Sequence, residues 1–254
     1  MARYTGPSCR QCRREGTKLF LKGTKCFTEK CPVERRPYAP GQHGQSTGRR
    51  KKVSEYAKQL REKQKIKRIY GMNEKQFRNM FEKVAKQPGI TGHNLLANLE
   101  SRLDNMVYRL GFAASRKAAR QLVRHQHVEI NGKRVDIPSY TVQPGEEIRV
   151  RQKSRELAVV MESMEQAKRN PAMSWLAVDA ESFSGRMLER PQRASIPIAA
   201  QEQLVVELYS KSSGRLSPLS GGDRWIRGAG PPVELARPAC RLVGTLIPIR
   251  ACRA

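Results

Sequence analysis

Four of the six cysteines lie near the start of the chain, at spacings suited to binding a metal ion. Cys9 and Cys12 are separated by two residues, and Cys26 and Cys31 by four. Two such pairs can place four thiolates around one tetrahedral ion, for which zinc is the usual occupant. The alternatives are an iron–sulfur cluster, two disulfides, which a cytosolic compartment disfavours, or four unrelated thiols. Because four protein ligands leave no position open for a substrate water, the predicted role of the metal is structural.

Cationic side chains are interspersed with these cysteines, at Arg10, Arg13, Arg14 and Lys25. A neighbouring positive charge favours the thiolate form of cysteine. We therefore expect these residues to lower the pKa values of the thiols and to offset the excess negative charge of a four-thiolate zinc centre.

The second chemistry that the sequence indicates is the binding of a polyanion. The chain has 49 Lys and Arg against 23 Asp and Glu, a formal net charge of +26 and a pI near 10.4. This excess is larger than solubility requires and is typical of proteins that bind nucleic acid. The predicted RNA-binding residues are Arg3, Arg35, Arg36, Tyr38, His43, Arg49, Arg50, Lys51, Lys52, Lys58, Arg61, Lys63, Lys65, Arg68, Arg116, Lys117, Arg120, Arg124, Lys133 and Arg134.

Two predicted helices position the central group of these cations. Apolar residues recur at three- and four-residue steps from Leu96 to Leu110, and Gly111 follows as a left-handed cap. Ser115 is the expected N-cap of the next helix, in which Arg116, Arg120 and Arg124 recur at i, i+4 and i+8. These arginines, with Lys117 beside them, are predicted to form an exposed cationic ridge opposite Ala118, Ala119, Leu122 and Val123. A basic helix alone is often merely solvated, and the charge of the whole chain favours phosphate binding here.

The sequence after these helices predicts a hairpin with a basic tip. Val128 and Ile130 alternate with polar residues, Asn131-Gly132 suits a type I′ turn, and Lys133 and Arg134 follow the turn. A second turn at 143–146 separates strands predicted at 140–142 and 148–150. The expected unit is two helices against a small sheet.

The two basic segments before this unit permit different interpretations. Residues 35–44 are rich in Pro and Gly, and they are either a linker or a backbone that approaches RNA closely. Residues 49–68 form a dense cationic block, yet Ser54 is a suitable N-cap and Tyr56, Leu60 and Ile66 mark a partial apolar stripe. This pattern favours a helix that pairs with a polyanion over an unstructured tail.

The residues from 101 to 150 resemble the RNA-binding module named after bacterial small-subunit ribosomal protein four. The resemblance rests on the helix ending at Gly111-Phe-Ala113, on Ser115-Arg-Lys-Ala-Ala-Arg120 and on Val128-Glu-Ile-Asn-Gly-Lys-Arg-Val135. The same module occurs in some pseudouridine synthases, in tyrosyl-tRNA synthetases and in a heat-shock RNA-binding protein. It therefore implies RNA binding without specifying a task.

The flanking motifs extend the resemblance to the ribosomal protein four family itself, from Arg3 to Lys211. Besides the four cysteines, the matching motifs lie at 3–7, 35–44, 60–65, 69–71, 77–79 and 202–211, in the family's order. The resemblance implies an α+β fold with a mainly helical N-terminal domain and cysteine knuckle over 1–98. It further implies an inserted α/β RNA-binding module over 99–165 and a segment over 166–211 that returns to the N-terminal domain.

The same resemblance implies a structural constituent of the small ribosomal subunit. Its members bind a multi-helix junction of small-subunit ribosomal RNA early in assembly, contact small-subunit proteins three and five, and influence decoding accuracy. Contact with mRNA near the entry channel is a further expectation. Some members keep the four cysteines and bind zinc, and others have lost them. A metal would thus support the fold without defining the function.

Other features narrow the function classes. The first residues lack an apolar leader, and no run reaches the roughly 18 to 20 apolar residues that span a bilayer, so we expect a cytoplasmic, ribosome-bound protein. We also expect no enzymatic activity, because no Gly-rich cofactor loop or clear catalytic constellation is present. The rival interpretations are an RNA-modifying enzyme that carries this module and a free RNA-binding stress factor.

The last segment, 212–254, differs in composition from the rest of the chain. It is rich in Gly, Pro, Ser and Arg, and it lacks a sustained hydrophobic period. Such a segment buries too little apolar surface to offset the loss of chain entropy on folding. We therefore predict a disordered extension beyond the family-like part of the chain. Cys240 and Cys252 have no paired spacing and are not predicted to bind metal.

Overall fold

The computed structural model describes residues 3–45, 53–168 and 173–213, which form helices and one antiparallel sheet in an α+β arrangement. Predictions for Arg49, Arg50, Lys51 and Lys52, and for residues 214–254, lie outside the described residues. Within them, the helices are α1 (Ser8–Glu15), α2 (Pro32–Arg35), α3 (Glu55–Ile69), α4 (Glu74–Ala85), α5 (Thr91–Glu100), α6 (Leu103–Arg109), α7 (Arg116–Arg124), α8 (Ala158–Lys168) and α9 (Glu202–Ser213). The strands are β1 (Val128–Ile130), β2 (Lys133–Arg134), β3 (Glu147–Val150), β4 (Leu176–Asp179) and β5 (Ser184–Met187). None of the described helices combines the length and apolarity needed to cross a bilayer.

Helices α3, α4, α5 and α9 enclose the first of two hydrophobic cores. Ser54 caps α3 as predicted, because its Oγ accepts a hydrogen bond from the Ala57 N–H at 3.3 Å. The buried face of α3 differs from the predicted stripe: Tyr56 is 62% exposed, whereas Lys63 is 8% exposed. The reason is tertiary pairing, since Lys63 Nζ donates to the Glu74 carboxylate.

The second core lies between α6, α7, α8 and the sheet, whose strand order is β2-β1-β3-β5-β4 with antiparallel neighbours. The hairpin prediction is confirmed, because Asn131 and Gly132 have φ values of 49° and 78° and connect β1 to β2. Residues 140–142 do not form a ladder with β3, contrary to the second predicted strand pair. Thr141 instead makes an isolated bridge with Arg102.

The helix predicted from Leu96 to Leu110 is divided in two at Ser101 and Arg102. Backbone pairing with the 140–142 segment causes the break: Leu103 N–H donates to Tyr140 O, and Val142 N–H donates to Ser101 O, each at 2.8 Å. The apolar period continues across the break because both helices bury the same sequence stripe, one in each core. Sequence periodicity alone therefore could not locate this domain junction.

The return segment, predicted to pack as a whole on the N-terminal domain, divides between the two cores. Strand β5 pairs with β3, placing Gly185 opposite Ile148 in the sheet of the second core. Only the later part returns to the helical core, where Val205 of α9 is fully buried. The Glu202–Tyr209 stretch, compatible with helix or strand by sequence, is helical because it packs along α3 and α5.

A buried carboxylate links the two cores. Glu100, at the end of α5, accepts hydrogen bonds from Arg109 Nε at 2.9 Å and Nη2 at 2.7 Å. Tyr70 Oη donates to the same carboxylate at 2.7 Å, and Asn105 Nδ2 also donates to it. Burial alone would raise the pKa of Glu100, but the hydrogen bonds and charge of Arg109 hold it below its ordinary value. The cluster joins the end of α3 to α6, the first helix of the second core.

Candidate nucleic-acid interface

The first turn of α7 is formed as the sequence predicts. Ser115 Oγ accepts a hydrogen bond from the Ala118 N–H at 3.3 Å, which satisfies one of the unpaired amides at the helix start. Ala119 and Val123 are fully buried against α6 and the sheet. This packing fixes the rotation of α7 and therefore the direction of its arginines.

Arg120 does not lie on an exposed ridge, and that prediction is wrong. It is 6% exposed, and its Nη1 donates to Asp104 Oδ2 at 3.1 Å. Arg102 Nη2 donates to the same oxygen, also at 3.1 Å. Burial lowers the pKa of Arg120 even though the Asp104 charge opposes that shift. Arg120 lies inside the protein because it pairs with Asp104, which is in the first turn of α6.

Arg116 is half-buried and belongs to the junction between the two cores. Its Nε donates to Asn105 Oδ1 at 2.7 Å. Its guanidinium carbon lies 4.6 Å from the centroid of the Tyr108 ring and 5.3 Å from that of Tyr70. These cation–π contacts orient Arg116 rather than leaving it free to follow a ligand.

Lys117 joins α7 to the N-terminal segment. Its Nζ donates to Ser8 Oγ at 2.6 Å and lies 5.9 Å from the Tyr4 ring centroid. Burial lowers the pKa of Lys117, and repulsion from Arg3 and Lys22 adds to the shift. Lys117 therefore lies in a region where positive charge is crowded.

The cations of α3 are largely compensated by carboxylates within the protein. Two of these carboxylates, Glu15 and Glu74, come from outside the helix, so the local sequence understates the acidic charge around it. This pairing lowers the charge that α3 can present to RNA. The ion pairs are Lys58 with Glu55, Arg61 and Arg68 with Glu15, Lys63 with Glu74, and Lys65 with Glu62.

The Pro- and Gly-rich segment is organised by Arg13, a residue that sequence reasoning assigned only to the cysteine region. Arg13 Nε donates to Tyr38 O at 3.0 Å and to Arg36 O at 3.2 Å. Its guanidinium carbon lies 4.6 Å from the Tyr38 ring centroid. No local pattern signals this contact, which spans more than twenty residues of chain. The Arg13 guanidinium therefore packs against one face of the Tyr38 ring. Arg35, Arg36 and His43 are exposed.

Exposed cations of the second unit, which comprises α6, α7, α8 and the sheet, include residues at the end of α7 and on β2. Arg124, Lys133 and Arg134 are exposed, and none of them forms an ion pair with another described residue. Two of them follow the Asn131-Gly132 turn directly, so the hairpin presents its charge at its tip. These side chains can bind phosphates without first breaking an intramolecular ion pair.

The four N-terminal cysteines are free thiols, of which Cys12, Cys26 and Cys31 are buried. Lys22 N–H donates to Cys26 Sγ at 3.4 Å, and the Leu19 N–H donates to the Cys12 sulfur. Burial raises the pKa of Cys12, so the prediction that nearby cations lower thiol pKa values is wrong for this residue. Within the described ranges, no group of three or more His, Cys, Asp or Glu side chains is arranged to hold a metal ion. The zinc site stays a prediction.

A helical domain followed by a basic helix-and-hairpin module defines a protein of the RNA-binding class. Residues 3–100 match the Ribosomal protein S4/S9 N-terminal domain family, and residues 101–148 match the S4 domain family. The small ribosomal subunit protein uS4 of Thermus thermophilus is 56% identical over 211 residues, covering 83% of this chain and 100% of that protein. The protein of the same name from Desulforamulus reducens is 58% identical over the same shares. The chain therefore belongs to the uS4 family.

Proposed function

We propose that this protein is a structural, non-enzymatic constituent of the small ribosomal subunit that binds small-subunit ribosomal RNA in the cytoplasm. The main support for this proposal is the 56% identity to proteins named small ribosomal subunit protein uS4 over their whole length. The exposed, uncompensated cations of α7 and β2 support an RNA partner rather than an acidic small molecule. An RNA-modifying enzyme would need a catalytic domain beyond the two matched families.

We further propose the finer role that the family resemblance implies. The protein would bind a multi-helix junction early, nucleate assembly of the subunit body, and contact small-subunit proteins three and five near the mRNA entry channel. The charge distribution supports this role, because both structural units carry exposed cations that could contact RNA. Coupling of the two units through Glu100 would then favour one relative orientation of those helices.

Charge reversal at the hairpin tip tests the proposed function. Lys133→Glu with Arg134→Glu is expected to weaken binding to small-subunit ribosomal RNA about 10- to 100-fold, because two phosphate contacts become repulsions. A filter-binding titration and co-sedimentation with small subunits at moderate salt measure the effect. Lys75→Glu with Lys86→Glu, at exposed positions in α4 and at its C-cap, makes the same change in net charge outside the proposed interface.

The outcomes separate the candidate functions. Wild-type protein that remains free of small subunits, or that binds unrelated RNA equally well, would favour a stress factor or an enzyme. Equal losses in the hairpin and α4 variants would show that only net charge matters and would remove the hairpin from the interface.

We propose that the four cysteines hold a structural zinc ion. The chemistry of the donors supports this proposal, because the amide donors to Cys12 and Cys26 stabilise thiolates. The described residues do not bring the four sulfurs together as a metal-binding group, so zinc binding would require the thiols to move closer to one another. A bound zinc ion would neutralise charge among the thiolates and contribute folding energy to the first forty or so residues.

Loss of one ligand is expected to remove the metal. Cys26→Ser should lower the zinc content from about one ion per chain to nearly none, and it should increase hydrogen exchange in α1 and the segment that follows. Metal analysis and hydrogen exchange provide the two readouts, and Cys252→Ser is the matched cysteine control. Wild-type protein purified without stoichiometric zinc would contradict the proposal.

A further inference from the structure

A small cavity of about 40 Å³ lies between the N-terminal segment, the end of α3 and the start of α7. One lining residue is a carboxylate, Asp104. Residues of both structural units line the cavity, so its shape depends on how the two units pack against each other. Its cationic lining consists of Arg3, Arg68, Arg116, Lys117 and Arg120.

The charges around this cavity do not balance within the protein. Arg68 pairs with Glu15, and Arg120 shares the Asp104 carboxylate with Arg102. Within the described part of the chain, however, Arg3 and Lys117 form no ion pair with a carboxylate. Burial lowers the pKa of Lys117, and repulsion from Arg3 lowers it further. An anion in the cavity would relieve this repulsion.

The lining of the cavity suits a phosphate group. Its arginine and lysine side chains can donate hydrogen bonds to the non-bridging oxygens of one phosphate. A nucleotide bound through that phosphate would place its sugar and base at the rim of the cavity.

An aromatic pair forms one side of that rim. Phe20 lines the cavity, and its ring is stacked on Phe27 with centroids 5.0 Å apart and an interplanar angle of 29°. Phe27 is 72% exposed, so its outer face is available to a third ring. Phe20 has a φ of 51°, which is strained for a bulky residue, and the buried neighbours Leu19 and Leu21 hold it in that conformation.

We propose that this site binds one unpaired nucleotide of the RNA, with its phosphate in the cavity and its base, or the adjacent one, stacked on Phe27. An exposed aromatic face beside a cationic pocket matches how proteins bind splayed, unstacked bases. A base within a continuous duplex cannot offer its face to Phe27. The proposal rests on the proposed function, because it takes ribosomal RNA as the ligand.

Two variants separate the phosphate from the base. Lys117→Met should reduce the slope of log affinity against log salt for small-subunit ribosomal RNA by about 1, because one phosphate contact is lost. Phe27→Ala should lower the affinity about 5- to 150-fold and leave that slope unchanged, because stacking releases no counterions. Lys86→Met and Ile90→Ala are exposed controls on the helical domain. Lys117→Arg keeps the charge and should restore the slope, which excludes a folding defect as the cause.

Phosphate-ethylation interference locates the contact. In the wild-type complex, ethylation of one phosphate in a non-helical position should block binding, and this interference should disappear with Lys117→Met while other positions keep theirs. If wild-type protein binds the RNA but both variants match their controls, the nucleotide site is refuted and the proposed function stands. If wild-type protein does not bind the RNA, the nucleotide site and the proposed function are both refuted.

A free anion is the rival occupant. Inorganic phosphate that raises the melting temperature of RNA-free wild-type protein but not of Lys117→Met, with no interference at any single RNA phosphate, would overturn the proposal. The cavity would then be a site for a free phosphate rather than for RNA.

Discussion

Raising the salt concentration from about 50 to 200 mM is expected to weaken binding to small-subunit ribosomal RNA by about 10³- to 10⁵-fold. The chain carries a net charge of +26, and phosphate contacts release the counterions condensed on RNA. Eight of the predicted cations form no ion pair with another described residue, which is enough for the roughly 6 to 10 contacts that such a loss requires. They are Arg3, Arg35, Arg36, Arg116, Lys117, Arg124, Lys133 and Arg134.

The measurement is a filter-binding or fluorescence-anisotropy titration at several KCl concentrations. Neutralising Arg124, Lys133 and Arg134 together with Gln should reduce the slope of log affinity against log salt by about 2 to 3. Arg78→Gln provides the control, because Arg78 is exposed and already paired with Glu82 at 3.1 Å. A nearly flat salt response in the wild-type protein would show that phosphate contacts do not dominate binding.

The local structures that the sequence predicts correctly depend on neighbouring residues in the chain. Ser115 caps α7 through an amide three residues away, and Asn131-Gly132 forms the turn that joins β1 to β2. Such signals require only the chemistry of a few consecutive residues. The start of α7 and the hairpin could therefore be placed without knowledge of the rest of the fold.

The errors arise where distant residues decide the outcome. Periodicity shows that Arg116, Arg120 and Arg124 share a helix face, but it does not show that Asp104 packs against part of that face. Charge alone likewise predicts that Lys63 binds RNA, and this stays a prediction, but it does not show that Glu74 pairs with Lys63 in the folded chain. A cation becomes available to a ligand only when the fold leaves it without a carboxylate partner, and this is a tertiary property.

The break in the helix predicted from Leu96 to Leu110 was missed for the same reason. Residues 101 and 102 leave the helical path because their backbone groups pair with the 140–142 segment, some forty residues later. Strand β5 similarly joins the module from a segment predicted to return elsewhere. Long-range backbone pairing can interrupt a helix without changing the hydrophobic periodicity of the sequence at that position.

Replacing Glu100 is expected to destabilise the free protein more than a typical surface substitution. Glu100→Gln should lower the free energy of unfolding by about 3 to 5 kcal/mol, because Arg109 would keep a buried charge without its carboxylate partner. The Arg109 side chain is 9% exposed and that of Glu100 is 0% exposed, so water cannot replace the lost interaction. Urea unfolding followed by circular dichroism measures the change.

Matched variants identify the buried charge as the cause. Glu82→Gln breaks an exposed i,i+4 pair with Arg78 and should cost at most about 0.5 kcal/mol. Glu100→Gln combined with Arg109→Met removes both charges, so the double variant should be less destabilised than the sum of the two single variants. Additive losses would show that packing, rather than charge pairing, accounts for the effect.

The pH dependence of stability gives an independent test of the Glu100 cluster. The pKa of Glu100 is below its ordinary value in the folded protein, so its stabilising contribution is fully present above the unfolded-state pKa of about 4.3. That contribution is lost as the pH falls through the lower folded-state pKa, because the protonated carboxyl no longer balances Arg109. Wild-type protein should therefore lose more stability than Glu100→Gln on acidification below about pH 4. Parallel stability curves for the two proteins over that range would contradict a charged Glu100 at the junction between the two cores.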